Sequence, residues 1–240
     1  MGKTIALWLI VLSLLFPARQ AFAAIGCTLT NPALDLKYVY PAMTSYKEDV
    51  YSFSSLGDPS GTFTTFEFRL QAPLDPIFDA LQTPFTVYSI FQGDDLIGIV
   101  HGVNVPARGG VIQLFLSIDP KNRTIRELFF QRLESDAAKL FRNKSFRQQF
   151  AGLSLADWYM SDYFEKADPT NERSIPKKVP PPSGLSDSSL QDYHAIMTGV
   201  RKNLVLLDLF LFQRASDQYF ERAQERLKSL RSERSTEKTQ

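Results

Sequence analysis

The chain has 240 residues, a formal net charge of +1, 44% apolar residues and 12% aromatic residues. That composition belongs to a folded chain with a core and not to a disordered one, and the near-neutral balance argues against nucleic acid as a partner. Cys27 is the only cysteine and there are two histidines, His101 and His194, so neither an internal disulfide nor a structural zinc or iron–sulfur site is expected.

Residues 1–23 read as a signal peptide: Lys3, an apolar run from Ile5 to Phe16, a break at Pro17, and Ala21-Phe22-Ala23 placing small residues before a cut ahead of Ala24. The run is about half of the roughly 20 residues that a membrane span needs. The mature chain is therefore expected to have no transmembrane span and to be secreted, in the bacterial periplasm. Loss of Lys3 and Arg19 with the leader takes its charge to about −1. Cys27 then lies near the new terminus, as a free thiol or a lipid-modified residue.

Residues 24–84 are expected to supply short helices and strands that pack on the main domain. Asn31-Pro32 starts a helix. Lys47–Phe53 and Thr62–Leu70 alternate apolar and polar residues around the turn Gly57–Gly61, which predicts a hairpin. The main domain, 85–213, opens with strands over Phe85–Phe91, Leu96–Val105, Val111–Ile118 and Thr124–Leu133. The turns between them are short enough to require an antiparallel meander. Helical spacing takes over at Ser135–Phe141 and Asn143–Phe150, and Asp157–Phe164 is a short aromatic segment. Ala167–Ser189 carries five prolines and reads as a loop. From Ser189 the pattern predicts one helix almost to the chain end. Its seam is Leu190, Tyr193, Met197, Val200, Leu204, Leu207 and Leu211, packed on the sheet, and residues 214–240 form a charged helical extension. The fold class is α+β: an antiparallel meander with helices on one side and a long C-terminal helix.

No G-x-S-x-G, H-E-x-x-H or Walker glycine loop occurs, so a carrier or binding protein is favoured over a stand-alone enzyme. His101 on a strand and His194 on the long helix read as structural or surface groups. Gly98, Gly102, Gly109 and Gly110 cluster on neighbouring strands and one turn. They mark either sheet geometry or the close approach of a ligand.

Thr86-Val87-Tyr88, Ile97-Gly98-Ile99-Val100, Gly109-Gly110-Val111-Ile112, Ser117-Ile118-Asp119-Pro120 and Phe146…Gln149-Phe150-Ala151-Gly152 occur in an order that resembles the extracytoplasmic FMN-binding domain family. That family includes periplasmic flavin subunits of ion-pumping electron-transport complexes. The likeness spans Phe85 to Arg201. It implies a flavoprotein of the FMN-binding-domain type that transfers electrons or carries flavin in the cell envelope. An envelope redox partner or membrane complex would then be implied, with a flavin transferase to attach FMN. The family's attachment tetrapeptide corresponds to Ser183-Gly184-Leu185-Ser186, which makes Ser186 the implied phosphate acceptor. Gly109 and Gly110 would admit the flavin, and Tyr88, Trp158 and Tyr159 would cover its ring. Leu185, Pro180 and Glu134-Ser135-Asp136-Ala137 depart from the family pattern. The alternative is a flavin-free binding or assembly module of the same fold, acting through the long C-terminal helix.

Overall fold

Alternating apolar residues separated by glycine, aspartate and asparagine turns fold as one antiparallel sheet. In the computed structural model, which describes residues 27–160 and 179–237, the strands are β1 (Ser45–Tyr51), β2 (Phe85–Gln92), β3 (Asp95–Ala107), β4 (Gly110–Asp119) and β5 (Thr124–Leu133), in spatial order β1-β2-β3-β4-β5. The helices are α1 (Pro32–Val39), α2 (Pro59–Leu70), α3 (Ala138–Arg142), α4 (Lys144–Gln148), α5 (Leu155–Met160), α6 (Asp187–Phe210) and α7 (Asp217–Glu237). The α+β class, the four-strand meander and the long helix follow the sequence reading. Residues 1–26, which include the expected signal peptide, and residues 161–178 of the aromatic and proline-rich stretch lie outside the described residues. Among the described residues no helix is long and apolar enough to cross a membrane.

The predicted hairpin of Lys47–Phe53 with Thr62–Leu70 does not form. β1 instead pairs with β2, Tyr51 opposite Phe85, and the second segment is α2. The Asp58 carboxylate accepts from the Gly61 N–H at 3.0 Å, and Pro59 occupies the first turn. A helix puts Phe63, Phe66 and Leu70 on one face against the core and turns Phe68 outward, 60% exposed. β1 is an edge strand with Ser45 to Glu48 exposed and a Lys47–Asp49 ion pair at 2.8 Å.

Both faces of the sheet are covered. On one face, Leu36 and Tyr40 of the α1 segment pack on Tyr88, Ile90, Val100 and Phe115, with Cys27 and Leu29. α6 crosses β3 and β4 on the other face, and its seam residues Tyr193, Met197, Val200, Leu204 and Leu207 are buried in the main core. The helix does not run on into the charged tail. It ends at Phe210, and Gln213 and Arg214 take left-handed conformations (φ 52° and 60°) that turn the chain. α7 then packs back on α5, burying Phe220.

α6 also buries charge. Arg201, Lys202, Asn203 and Asp208 are each no more than 3% exposed. Asp208 accepts from Arg69 at 2.9 Å, and Arg69 also pairs with Asp217. Lys202 pairs with Asp79 and donates to the Asn104 carbonyl at 3.0 Å. Arg201 donates to Gln71 Oε1 at 2.6 Å. Asn203 donates to the His101 carbonyl at 2.7 Å, and the fully buried His101 imidazole faces α6 beside the Phe85 ring.

A chain ended after Gln213 loses both Phe220 and Asp217. It is expected to be less stable by about 3–5 kcal/mol, the cost of emptying a core aromatic site, whereas a chain ended after Lys228 keeps both anchors and the parent's urea midpoint. Equilibrium urea unfolding of the two truncations checks this. Burial also pushes the His101 pKa down to about 4. Between the unfolded value near 6.5 and about 4, the unfolded chain takes up a proton that the folded one refuses, so stability falls as pH drops through that window. His101→Leu is expected to remove about 3 kcal/mol of that fall, read from urea midpoints measured between neutral and acid pH.

Candidate functional site

Turn chemistry and a helix start place the two halves of the sequence-predicted site at the same end of the molecule. Ser186 is the N-cap of α6. Its hydroxyl accepts from the Ser189 N–H at 3.3 Å, donates to Ser189 Oγ at 3.1 Å and lies 2.8 Å from Ser188 Oγ. Ser183 and Gly184 form an exposed turn before it, with Gly184 at φ 82° and open space around it. The Gly109–Gly110 turn between β3 and β4 is tied to the same helix, because Arg108 donates its N–H to Asp192 Oδ1 at 3.0 Å. Asp192 lies six residues beyond Ser186, roughly 9 Å along the helix axis.

The space beside the two glycines is filled by the chain itself. A side-chain carbon on Gly110 would stand 1.7 Å from Glu134 Oε2, and one on Gly109 would stand 2.8 Å from the Glu134 carbonyl oxygen. The Glu134 carboxylate accepts from the Val111 N–H at 2.7 Å and pairs with Arg132. Those two contacts, the backbone N–H first, hold its pKa below the usual range. A phosphate seated at this turn would meet an anion already in place. The sequence carries the signal for this in the departure at Glu134, an acid where the resembled family has a glycine-containing loop.

The strand glycines have the same fate. At Gly98 an added carbon would meet the Tyr40 ring at 2.1–2.4 Å, and at Gly102 the Phe115 ring at 2.3 Å and the Cys27 sulfur at 2.7 Å. Tyr40 is fixed there by a 2.6 Å hydrogen bond to Ser117 Oγ and by Arg126 stacked over its ring. The three aromatics expected to cover a flavin ring do not share a surface. Tyr88 is buried on the α1 face and accepts the Leu29 N–H through its hydroxyl. Trp158 stacks on Phe150 and Tyr159 packs against Phe220, both in the core on the α6 side. Esterification at Ser186 would also remove the proton that its hydroxyl shares with Ser189. Among the described residues, the strand glycines and the Gly109–Gly110 turn are packed against the chain itself, and the three aromatics share no face, whereas Gly184 beside Ser186 is open.

Two further features lie outside this turn. Cys27 is buried, and desolvation pushes its thiol up to about 12, so it is protonated and sheltered. A pocket of about 310 Å³ opens between α6, the end of β3 and the 70–79 segment, with Lys202 and Asp79 in its wall. Sequence reading of the apolar run around Lys202 gives no sign of it. The only trace is the pair Asp75 and Asp79, four apart, the second of which supplies the counter-charge to Lys202. Among the described residues no group of three or more His, Cys, Asp or Glu side chains could hold a metal ion. Neither a family model nor a curated protein matches this chain.

Native Cys27 is expected to resist Ellman's reagent under conditions in which the urea-unfolded chain reacts fully. Gly102→Ala, which forces Phe115 and the thiol aside, is expected to speed that reaction and to destabilise the fold by about 1–3 kcal/mol, measured by thiol titration and urea unfolding of the same samples.

Proposed function

We propose that the protein is an exported, flavin-free binding or assembly module of the bacterial cell envelope. The observation that carries this reading is that four glycines of the meander are closed off by the same protein: Gly98 by the Tyr40 side chain, Gly102 by Phe115 and Cys27, Gly110 by the Glu134 carboxylate and Gly109 by the Glu134 backbone. The leader-like residues 1–23 support export. The seam of α6 is committed to the protein's own core; among the described residues, the exposed side of α7 at Glu221, Arg222 and Glu225 and the pocket beside Lys202 can meet a partner or ligand.

The second reading is the flavin-carrying electron-transfer protein of the resembled family, with Ser186 as the acceptor. It is favoured by one feature, the exposure of Ser186 in a loop that a flavin transferase could reach. The two separate by colour. The mature protein, secreted from a host with an active flavin transferase and ample FMN, is expected to be colourless and to leave added FMN fluorescence unchanged. Ser186→Ala is expected only to lower stability by about 1 kcal/mol through loss of the helix cap. A yellow protein whose colour survives denaturation and disappears in Ser186→Ala would overturn the proposal in favour of the flavoprotein.

A further inference from the structure

The pocket beside Lys202 has a charge arrangement that selects its ligand. Its volume, about 310 Å³, is at the lower end of the roughly 300–1,000 Å³ of small-molecule sites. Most of its wall is hydrocarbon, from Leu70, Leu74, Val105, Pro106 and Ala195 among others. One ammonium and two carboxylates, Lys202, Asp79 and Asp75, also line it. Lys202 is 2% exposed and is fully engaged with Asp79, the Phe78 carbonyl and the Asn104 carbonyl. It has three N–H donors and three partners, so it has none to offer an anionic ligand. Asp79 in turn accepts the Asp75 N–H at 2.7 Å through its second oxygen.

Asp75 is different. One of its oxygens accepts the Ile77 and Phe78 N–H groups, each at 2.9 Å, while the other accepts no hydrogen bond among the described residues. The side chain is half-buried, where a carboxylate loses part of its hydration and interacts more strongly with a nearby charge than it would in water. With Lys202 and Asp79 cancelling, one negative charge remains in the lining.

We propose that this pocket binds a small molecule with a hydrocarbon body and a single ammonium end, the body lying against the apolar wall and the ammonium donating to the Asp75 carboxylate. The half-buried Thr198 side chain, on the α6 wall, marks where the body would pass. The site is distinct from the α6 start: Ala195 lies nine residues beyond Ser186, roughly 13 Å along the axis. Its occupancy is therefore tested separately from the presence of flavin.

The experiment titrates the full mature protein with three probes that share a phenyl-alkyl body: phenethylamine, phenethyl alcohol and hydrocinnamate, followed by calorimetry and ligand-observed NMR. Phenethylamine is expected to bind saturably, and about tenfold tighter than hydrocinnamate. Asp75→Asn keeps an oxygen for the Ile77 and Phe78 N–H groups but removes the charge, and is expected to abolish that preference. Thr198→Trp fills the pocket from the helix side and is expected to weaken the amine by about tenfold or more. If Thr198→Trp does not fold, as judged by circular dichroism, Asp75→Asn decides alone. The proposal is overturned if no probe binds, if hydrocinnamate binds as well as the amine, if Asp75→Asn keeps the preference, or if a folded Thr198→Trp binds the amine unchanged. Each of these results is independent of whether the protein is yellow.

Discussion

The buried guanidinium of Arg69 is the point on which the α6 side of the structure depends. It comes from α2, is 2% exposed, and is held by Asp208 of α6 and Asp217 of α7, with the Tyr159 and Phe220 rings 5.8 and 5.7 Å from its carbon. Four helices thus meet at one cation. A buried charge of this kind contributes little net stability when paired, but removing one partner commonly costs about 3–5 kcal/mol, because the other is left without compensation in a poorly solvated place. Its effect here is to fix an arrangement. α2 is committed to packing on α6, the turn after Phe210 is held because Asp208 also accepts the Ser216 N–H at 3.2 Å, and the charged tail returns to the protein instead of projecting from it.

The sheet side works by a different principle. Glycine in a strand leaves a gap in a layer of side chains, and a gap in a close-packed interior must be filled. Here the fillers come from within the chain: an aromatic ring from the α1 segment, a ring from β4 with the lone thiol, and a carboxylate at the end of β5. Each is secured by a second contact, Tyr40 by Ser117, Phe115 by stacking on Phe129 and Glu134 by Val111. That makes the notches part of the core and leaves an accessible concavity beside the middle of α6, where the 70–79 segment leaves the pocket open.

Much of the fold was legible because its signals are local. The turns at Gly93-Asp94, Arg108–Gly110 and Asp119–Asn122 punctuate strands whose boundaries agree with the structure to within about two residues, the usual uncertainty of element ends. The start of α1 at Asn31-Pro32 was equally local. α2 was misread because Phe66, Phe68 and Leu70 alternate as a strand would. The spacing of Phe63, Phe66 and Leu70, together with the Asp58-Pro59 cap, is what the tertiary structure uses. The end of α6 was hidden for another reason: no glycine or proline marks it, and Gln213 and Arg214 adopt left-handed geometry because Asp208 and the packing of Phe220 hold them there. The burial of Arg201 and Lys202 was invisible as well, since their partners Gln71 and Asp79 lie more than a hundred positions away in sequence. Of the candidate site, the residues were legible but their surroundings were not. Nothing in the spacing of Gly98 and Gly102 says that Tyr40 and Phe115 fill the space beside them.

Residues near the start of the described chain and in its last helix both reach the interior. Cys27 bridges to Phe85 in a single parallel pairing, and Phe220 closes the core from the other terminus. A ribosome releases a growing polypeptide at roughly 5–20 residues per second, and Phe220 lies 87 residues beyond the end of β5 at Leu133, so the sheet emerges well before the ring that closes this part of the core. The early meander must wait, with apolar surface uncovered, for the segment that completes it.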